Sequence, residues 1–369
     1  MWCRPLQALA LSLVALAPSA LALDEVVSKR VLRVQNFQFV SGETIPELRL
    51  GFETYGRLNP RRDNAVLICH FFAGDSHAAG RYSASASREG WWNELIGPGL
   101  PIDTDRYYVV CTDLPVGMMA KRDTVVTTGP RTVDPRTGEA YGADFPRTFF
   151  HDMVAAQRLV LNHLGVRRLR LVTGPSMGGM LALQWAVSRP SDMDLVLAVS
   201  APISFTYEQR FGFQSAGWAI RSDPLWLGGD YLKYGVEPHD GIALALHGLS
   251  ALEAGEAYLL PWRWLSFRED AKRFDANTYL QTIDMHTAYT LGAEYGSQEV
   301  GLRRIRSRVV LLGSSDDPFI TPEQLEEAEQ ALNAAGVRVE RRTFAGENGH
   351  LSCLEDQDEM APALRAILR

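Results

Sequence analysis

A serine enclosed by glycines is the residue of this sequence best placed to do chemistry. Residues 174–178 read Gly-Pro-Ser-Met-Gly, with Ser176 at the centre of a Gly-x-Ser-x-Gly pattern. This pattern is typical of a nucleophile elbow, a sharp turn from a strand into a helix that exposes the serine hydroxyl. An apolar run at 169–174 and a helical pattern at 180–189 supply the context that the motif requires. We expect Ser176 to attack an acyl group.

A serine hydroxyl is a weak nucleophile at neutral pH and needs a base, which in turn needs an orienting acid. After a nucleophile elbow, the order along the chain is serine, acid, histidine. His350 is predicted as the base, because it lies near the C-terminus and no other histidine follows Asp316. Asp316 is predicted as the acid, with Asp317 as the alternative, because both aspartates come at the end of the last clear apolar run.

The negative charge that develops during acyl transfer needs backbone N–H donors. The amide of Met177 is predicted as the first donor, because it follows the nucleophile directly. The second is predicted at Phe72, in the loop after the apolar run 64–70. His70 in the same region is interpreted as structural.

The elements that must position these residues alternate between strands and helices. Helical patterns are clearest at 148–166, which ends near Gly165, and at 322–337, which opens with Thr321 and Pro322. Between the helices, apolar runs of the kind buried on both faces of a parallel sheet lie at 64–70, 106–113, 169–174, 194–201 and 307–316. The alternation predicts an α/β fold with a mostly parallel sheet.

Residues 203–304 break this alternation. No clear buried strand appears there, while tryptophan and phenylalanine accumulate, among them Phe213, Trp218 and Trp226. We interpret the segment as a helical lid inserted before the last core strands, with a helical subdomain that binds no ligand as the alternative. The core would then consist of residues 23–202 and 305–369.

The first 22 residues have the features of a secretory signal peptide. Arg4 precedes an apolar run at 8–17, and Ala20-Leu21-Ala22 has the small-x-small pattern of a cleavage site. The run is shorter than the roughly 20 apolar residues that span a bilayer. We expect an exported protein, periplasmic or secreted, without a membrane span.

Composition and spacing exclude several other classes of function. A formal net charge of −7 is unsuited to binding nucleic acid, which requires a basic surface. No close pair of cysteine or histidine residues has the spacing of zinc ligands, and we predict neither a metal nor a cofactor.

The chain resembles the homoserine O-acetyltransferase family of the α/β-hydrolase fold. The resemblance rests on GDSHAAG (74–80), GWWNELIGPGLPIDTDRYYVVCTD (90–113), TTGP (127–130), YGADFP (141–146), DMVAAQ (152–157), GPSMGGM (174–180) and AIRSDPLWLGGDY (219–231). It implies that Ser176 takes an acyl group, usually acetyl from acetyl-CoA, and passes it to a hydroxyl acceptor. It also implies that Asp316 and His350 are the acid and base, and that the lid can mediate a homodimer.

Two positions depart from what the resembled family uses to bind homoserine. An arginine that grips the substrate carboxylate is replaced by Gly217, and an aspartate after the catalytic histidine is replaced by Leu351. Losing both counter-charges would weaken binding of a zwitterion by orders of magnitude. Arg210 and Arg221 are candidates to replace the missing arginine, although each is offset from the family's position.

These observations favour an exported ester or thioester hydrolase, or an acyltransferase with a donor other than CoA. Its partners would be a small-molecule acyl donor and either water or a hydroxyl acceptor. The alternative is a homoserine or other amino-acid O-acetyltransferase that uses acetyl-CoA. A third interpretation is a non-catalytic binding protein that retains the fold.

Overall fold

The computed structural model describes residues 26–254 and 264–368. The predicted signal peptide, residues 1–22, lies outside the described residues. In the described part of the chain, no helix is long and apolar enough to cross a membrane.

An eight-stranded sheet forms the centre of the molecule. Its strands are β1 (Arg30–Gln38), β2 (Thr44–Tyr55), β3 (Ala65–Ile68), β6 (Tyr108–Thr112), β7 (Leu169–Pro175), β8 (Met193–Val199), β9 (Arg308–Ser314) and β10 (Val339–Phe344), and a separate pair consists of β4 (Ile96–Gly97) and β5 (Ile102–Asp103). The spatial order of the eight strands is β1-β2-β6-β3-β7-β8-β9-β10. Neighbouring strands are parallel from β6 to β10, whereas β2 pairs antiparallel with both β1 and β6.

Helices cover the sheet and fill the connection between β8 and β9. Their bounds are α1 (Phe150–His163), α2 (Met177–Ser188), α3 (Tyr207–Arg221), α4 (His239–Ala254), α5 (Trp264–Ala271), α6 (Ala276–Thr287), α7 (Gln298–Leu302), α8 (Pro322–Ala334), α9 (Ser352–Glu355) and α10 (Gln357–Ile367). Helices α3 to α7 lie between β8 and β9, and α3 packs against α4 and α6.

Two apolar cores hold these layers together, one on each face of the sheet. Along β3, Ala65 and Leu67 join the core beneath α1, α2 and α8, while Val66 and Ile68 join the core beneath α10. Both faces of β3 are therefore shielded from water, which is why its sequence is continuously apolar. Such a strand is a rigid base for the loop that follows it.

The predicted fold class is confirmed, and so are the two clearest helices. Helix α1 ends just before Gly165, which has a φ of +74°, and the side chain of Thr321 caps α8 by accepting from the amide of Gln324 at 3.3 Å. The sequence analysis missed β1, β2, β10 and α10. The edge strands β1 and β10 are largely exposed or half-buried, so they lack the apolar runs from which the other strands were predicted.

Candidate active site

Ser176 occupies the sharp turn between β7 and α2. It has a φ of +53° and a ψ of −120°, a conformation unusual for a residue with a side chain, and its amide donates to the carbonyl of Val199 at 2.9 Å. A Cβ on Gly174 or Gly178 would overlap the carbonyl oxygen of Cys69. The glycines are therefore required because the end of β3 lies against the turn.

Ser176 and His350 are in direct contact although they are far apart in the chain. The Nε2 atom of His350 lies 2.8 Å from the Oγ of Ser176. The opposite ring nitrogen, Nδ1, lies 2.8 Å from Oδ2 of Asp317. Both distances are those of hydrogen bonds, so a hydroxyl, an imidazole and a carboxylate form an unbroken chain. This arrangement can transfer a proton away from Ser176.

The prediction of Asp316 as the acid is wrong, because Asp317 is the aspartate that contacts His350. Oδ1 of Asp317 accepts from the amides of Phe319 at 2.9 Å and Ile320 at 2.8 Å, which leaves Oδ2 for the imidazole. Asp316 instead accepts from the amide of Gly349 at 2.9 Å. It anchors the loop that carries His350 and does not reach the ring.

The charge on His350 depends on two opposing effects. Burial by itself lowers the pKa of the imidazole, but the adjacent carboxylates of Asp317 and Glu253 outweigh it and raise the pKa above 6.5. His350 is 3% exposed, so water screens these interactions weakly. The ring is consequently a stronger base than a histidine in water, while its orientation is fixed by Asp317.

A small cavity adjoins the hydroxyl of Ser176. Its free volume is about 20 Å³, which is room for about one water molecule. The lid supplies Phe205, Phe213, Leu249, Glu253 and His286 to its wall, and the remaining lining residues are Phe72, Ser176, Met180, Ser200, Pro202, Phe319 and Ile320. The wall is thus mostly apolar and aromatic, with few polar groups.

Of the two predicted amide donors, Phe72 lines this cavity and Met177 directly follows Ser176 in the chain. Met177 is the first residue of α2, where a backbone N–H has no acceptor within its own helix. Phe72 lines the cavity and belongs to the loop after β3, where Nδ1–H of His70 donates to the carbonyl of Phe71 at 2.8 Å. The assignment of both amides as oxyanion donors stays a prediction.

A buried network of charges that the sequence analysis missed supports the loop after β3. Asp113 accepts from the amide of Ser76 at 2.8 Å and pairs with Lys29 at 3.2 Å. Glu53, which is fully buried, lies 3.0 Å from Nδ1 of His77. Nothing in the spacing of these residues indicates that they meet, since they come from different strands and loops.

The predicted substrate contacts lie outside the Ser176 cavity. Gly217 faces α6, where an added Cβ would approach Ile283 at 3.5 Å. Leu351 follows His350 and is half-buried, but it is not part of the cavity wall.

The predictions of Arg210 and Arg221 as substrate contacts are wrong in this structure. Arg210 donates to the backbone carbonyls of Phe205 at 3.2 Å and Tyr289 at 2.7 Å. Arg221 pairs with Asp284 at 2.9 Å on the outside of the lid. Both guanidinium groups connect parts of the lid to each other, so neither is available to a ligand beside Ser176.

No group of histidine, cysteine and acidic residues suited to a metal ion occurs within residues 26–254 and 264–368.

Cys69, Cys111 and Cys353 are buried free thiols. Burial raises the pKa of Cys69 to about 12, which leaves this thiol protonated.

The outer surface of the lid carries a large apolar groove between α3 and α4. Its volume is about 1120 Å³. Exposed aromatic and aliphatic side chains line it, including Tyr207, Phe211, Trp218 and Leu244, which are 78%, 50%, 55% and 52% exposed. An exposed apolar surface of this kind is typical of an interaction site.

Known proteins are similar to this chain in sequence and in structure. Residues 64–357 match the family described as alpha/beta hydrolase fold. A homoserine O-acetyltransferase of Geotalea uraniireducens is 34% identical over 355 residues, covering 89% of this chain and 92% of that protein. The protein of the same name from Rhodospirillum rubrum is 34% identical over 358 residues, covering 89% of this chain and 88% of its own.

Two solved structures are similar over nearly their whole length. Esterase E22 is 30% identical with a TM-score of 0.87, covering 93% of this chain and 100% of that one. A homoserine O-acetyltransferase from Bacillus anthracis is 30% identical with a TM-score of 0.86, covering 94% of this chain and 98% of that one.

The contact between Asp317 and His350 predicts a specific pH profile. Asp317→Asn removes the carboxylate that orients the imidazole, and we expect ester turnover to fall by about 10,000-fold. It also removes a charge that raises the pKa of His350, so the acidic limb of the kcat/KM profile should move to lower pH. Both effects can be measured with p-nitrophenyl acetate from pH 5 to 9.

Asp316→Asn is the matched control. It leaves the Asp317 contact in place, so the acidic limb should stay where it is and the loss of rate should be much smaller. A larger loss in Asp316→Asn than in Asp317→Asn would contradict the assignment of the two aspartates.

Proposed function

The chain belongs to the α/β-hydrolase fold family and, within it, to the group of homoserine O-acetyltransferases, and on this premise we propose that it transfers acyl groups through a covalent acyl-Ser176. One observation carries the proposal: the chain of 2.8 Å contacts from Asp317 through His350 to Ser176. Because a serine hydroxyl becomes nucleophilic when a correctly oriented imidazole takes its proton, this geometry supplies what the first half-reaction needs.

In that half-reaction, Oγ of Ser176 attacks the carbonyl carbon of the donor while its proton passes to Nε2 of His350. The carboxylate of Asp317 stabilises the imidazolium that results. The amides of Met177 and Phe72 stabilise the oxyanion. The bond to the leaving group then breaks, and His350 donates its proton to that group, so acyl-Ser176 remains.

In the second half-reaction, His350 takes the proton of the acceptor hydroxyl as the acceptor oxygen attacks the acyl carbon. The bond to Ser176 breaks, and the proton returns to its Oγ. Water and an alcohol can both complete this step. The choice between them depends on which one the cavity binds and orients.

The relatives support homoserine as the acceptor and acetyl-CoA as the donor. Curated proteins named homoserine O-acetyltransferase match this chain over nearly their full length at 34% identity. This similarity favours acetyl transfer to homoserine over the ester hydrolysis that the sequence analysis placed first.

Ester hydrolysis is the second candidate, and the cavity wall favours it. None of the described residues lining the cavity is arginine or lysine. A homoserine carboxylate bound there would lack a buried counter-charge, which is unfavourable by several kcal/mol. The structural similarity to esterase E22 is also high, with a TM-score of 0.87.

We also propose that the protein is exported. The signal-like pattern of the first 22 residues supports it, through Arg4, the apolar run at 8–17 and the small residues at 20 and 22. An exported enzyme would not ordinarily meet acetyl-CoA, so export would favour hydrolysis or a donor other than CoA.

We further propose that the protein forms a homodimer through the lid. The resemblance to the homoserine O-acetyltransferases implies it, and the apolar groove between α3 and α4 supports it. Burying Trp218 and Phe211 against a second copy would remove a large apolar area from water.

A single pair of assays tests the acyl-Ser176 mechanism and separates the two candidates. We expect p-nitrophenyl acetate turnover to fall by about 1,000-fold or more in Ser176→Ala. Thiol release from acetyl-CoA that depends on added L-homoserine would support transfer. Ester turnover that L-homoserine does not change would support hydrolysis.

Ser191→Ala serves as the control, because Ser191 is an exposed serine in the turn before β8. It should retain wild-type rates in both assays. Full turnover in Ser176→Ala would contradict the proposed mechanism.

The dimer can be tested by placing a charge in the groove. Trp218→Glu should shift the protein from dimer to monomer in light scattering, because an unpaired carboxylate is costly to bury. Val300→Glu is the control, since Val300 is an exposed apolar residue on α7, away from the groove. A wild-type protein that is monomeric at all concentrations would contradict the dimer.

A further inference from the structure

The cavity beside Ser176 contains a carboxyl group that takes no part in the proton transfers of the mechanism, that of Glu253. We propose that Glu253 binds the ammonium group of the acyl acceptor, so that the acceptor is an amino alcohol whose hydroxyl attacks acyl-Ser176. The inference rests on the proposed acyl-transfer function and adds to it the residue that selects the acceptor.

Glu253 lies in the last turn of α4, the lid helix that packs against the short helix Gly349–Leu351 bearing His350. Its side chain shares the cavity wall with Ser176. It is also close enough to His350 and Asp317 to interact with both electrostatically. A group held by Glu253 is therefore held beside the atoms that react.

The carboxyl of Glu253 accepts no hydrogen bond and forms no ion pair within the described part of the chain. This distinguishes half-buried Glu253 from the fully buried acids Glu53, Asp75 and Asp113, which have basic or amide partners. Burial raises the pKa of Glu253, because the ionised form loses contact with water. A cationic ligand would restore the missing interaction and stabilise the carboxylate.

The remaining polar groups of the wall cannot provide that cation. His286 donates from Nδ1 to the carbonyl of Thr282 at 2.7 Å, and burial lowers its pKa to about 4. Its imidazole is consequently neutral at physiological pH. Ser200 contributes a buried hydroxyl without a partner. Together these groups offer a carboxylate and neutral hydrogen-bonding atoms, which suit an ammonium ion.

The position of Glu253 also fits the second half-reaction. With its ammonium group at Glu253, a short amino alcohol has its hydroxyl free to approach His350. His350 takes the hydroxyl proton, the acceptor oxygen bonds to the acyl carbon, and the bond to Ser176 breaks. Ser176 then recovers the proton, and the product is the O-acyl amino alcohol.

The test compares two acceptors of equal size, 3-aminopropan-1-ol and butan-1-ol, with p-nitrophenyl acetate as donor. In the wild type we expect acetylation of the amino alcohol to exceed that of butan-1-ol by about tenfold or more in kcat/KM, as a charge-assisted contact provides. In Glu253→Gln this ratio should fall towards one. Mass spectrometry of the acetylated products measures it directly.

Because the readout is a ratio within each variant, a general loss of activity does not affect it. Glu253→Asp keeps the charge on a shorter side chain and should give an intermediate ratio, which guards against a folding defect in Glu253→Gln. Glu269→Gln, an exposed lid glutamate on α5 paired with Lys272, should keep the wild-type ratio.

Two outcomes would overturn the inference: no preference for the amino alcohol in the wild type, or an unchanged preference in Glu253→Gln. Neither would affect the proposed acyl-Ser176, since hydrolysis of the ester by water would still depend on Ser176. Failure of the proposed function itself would appear differently, as absence of an acetyl adduct on Ser176 in intact-mass measurements.

Discussion

The site depends on one constraint: the end of β3 lies close against the turn that carries Ser176. The carbonyl of Cys69 occupies the space where side chains at positions 174 and 178 would otherwise lie. This contact brings the loop after β3, with the amide of Phe72, to the same cavity as the serine. Strands β3 and β7 are parallel neighbours, and both are buried, so the approach is set by the core of the sheet.

Sequence reasoning found the residues whose position along the chain determines their role. Ser176 is marked by its glycines and by the elements on either side, and His350 by its place near the end of the chain. The choice between Asp316 and Asp317 could not be made in the same way, because both follow β9. It depends on which carboxylate points to the imidazole, and this is decided by the turn in which Asp317 accepts from the amides of Phe319 and Ile320.

The lid shows most clearly what the sequence leaves open. Arg210 and Arg221 both lie on α3, but the direction of each guanidinium depends on neighbouring segments of the lid. Nothing in the sequence distinguishes Glu253 from other charged residues on helices. Only the packing of α4 near His350 brings it to the cavity. Long-range packing of this kind leaves no local signal in the sequence, whereas the buried strands are marked by continuous apolar runs.

The three buried thiols have a consequence for the environments in which this protein can fold. Cys69, Cys111 and Cys353 are each shielded from solvent and unpaired, and burial raises the pKa of all three. A protonated thiol reacts slowly with alkylating reagents and with disulfides. These three thiols are therefore inaccessible while the protein is folded, and the rate at which they become alkylated reports how often the buried regions around them open.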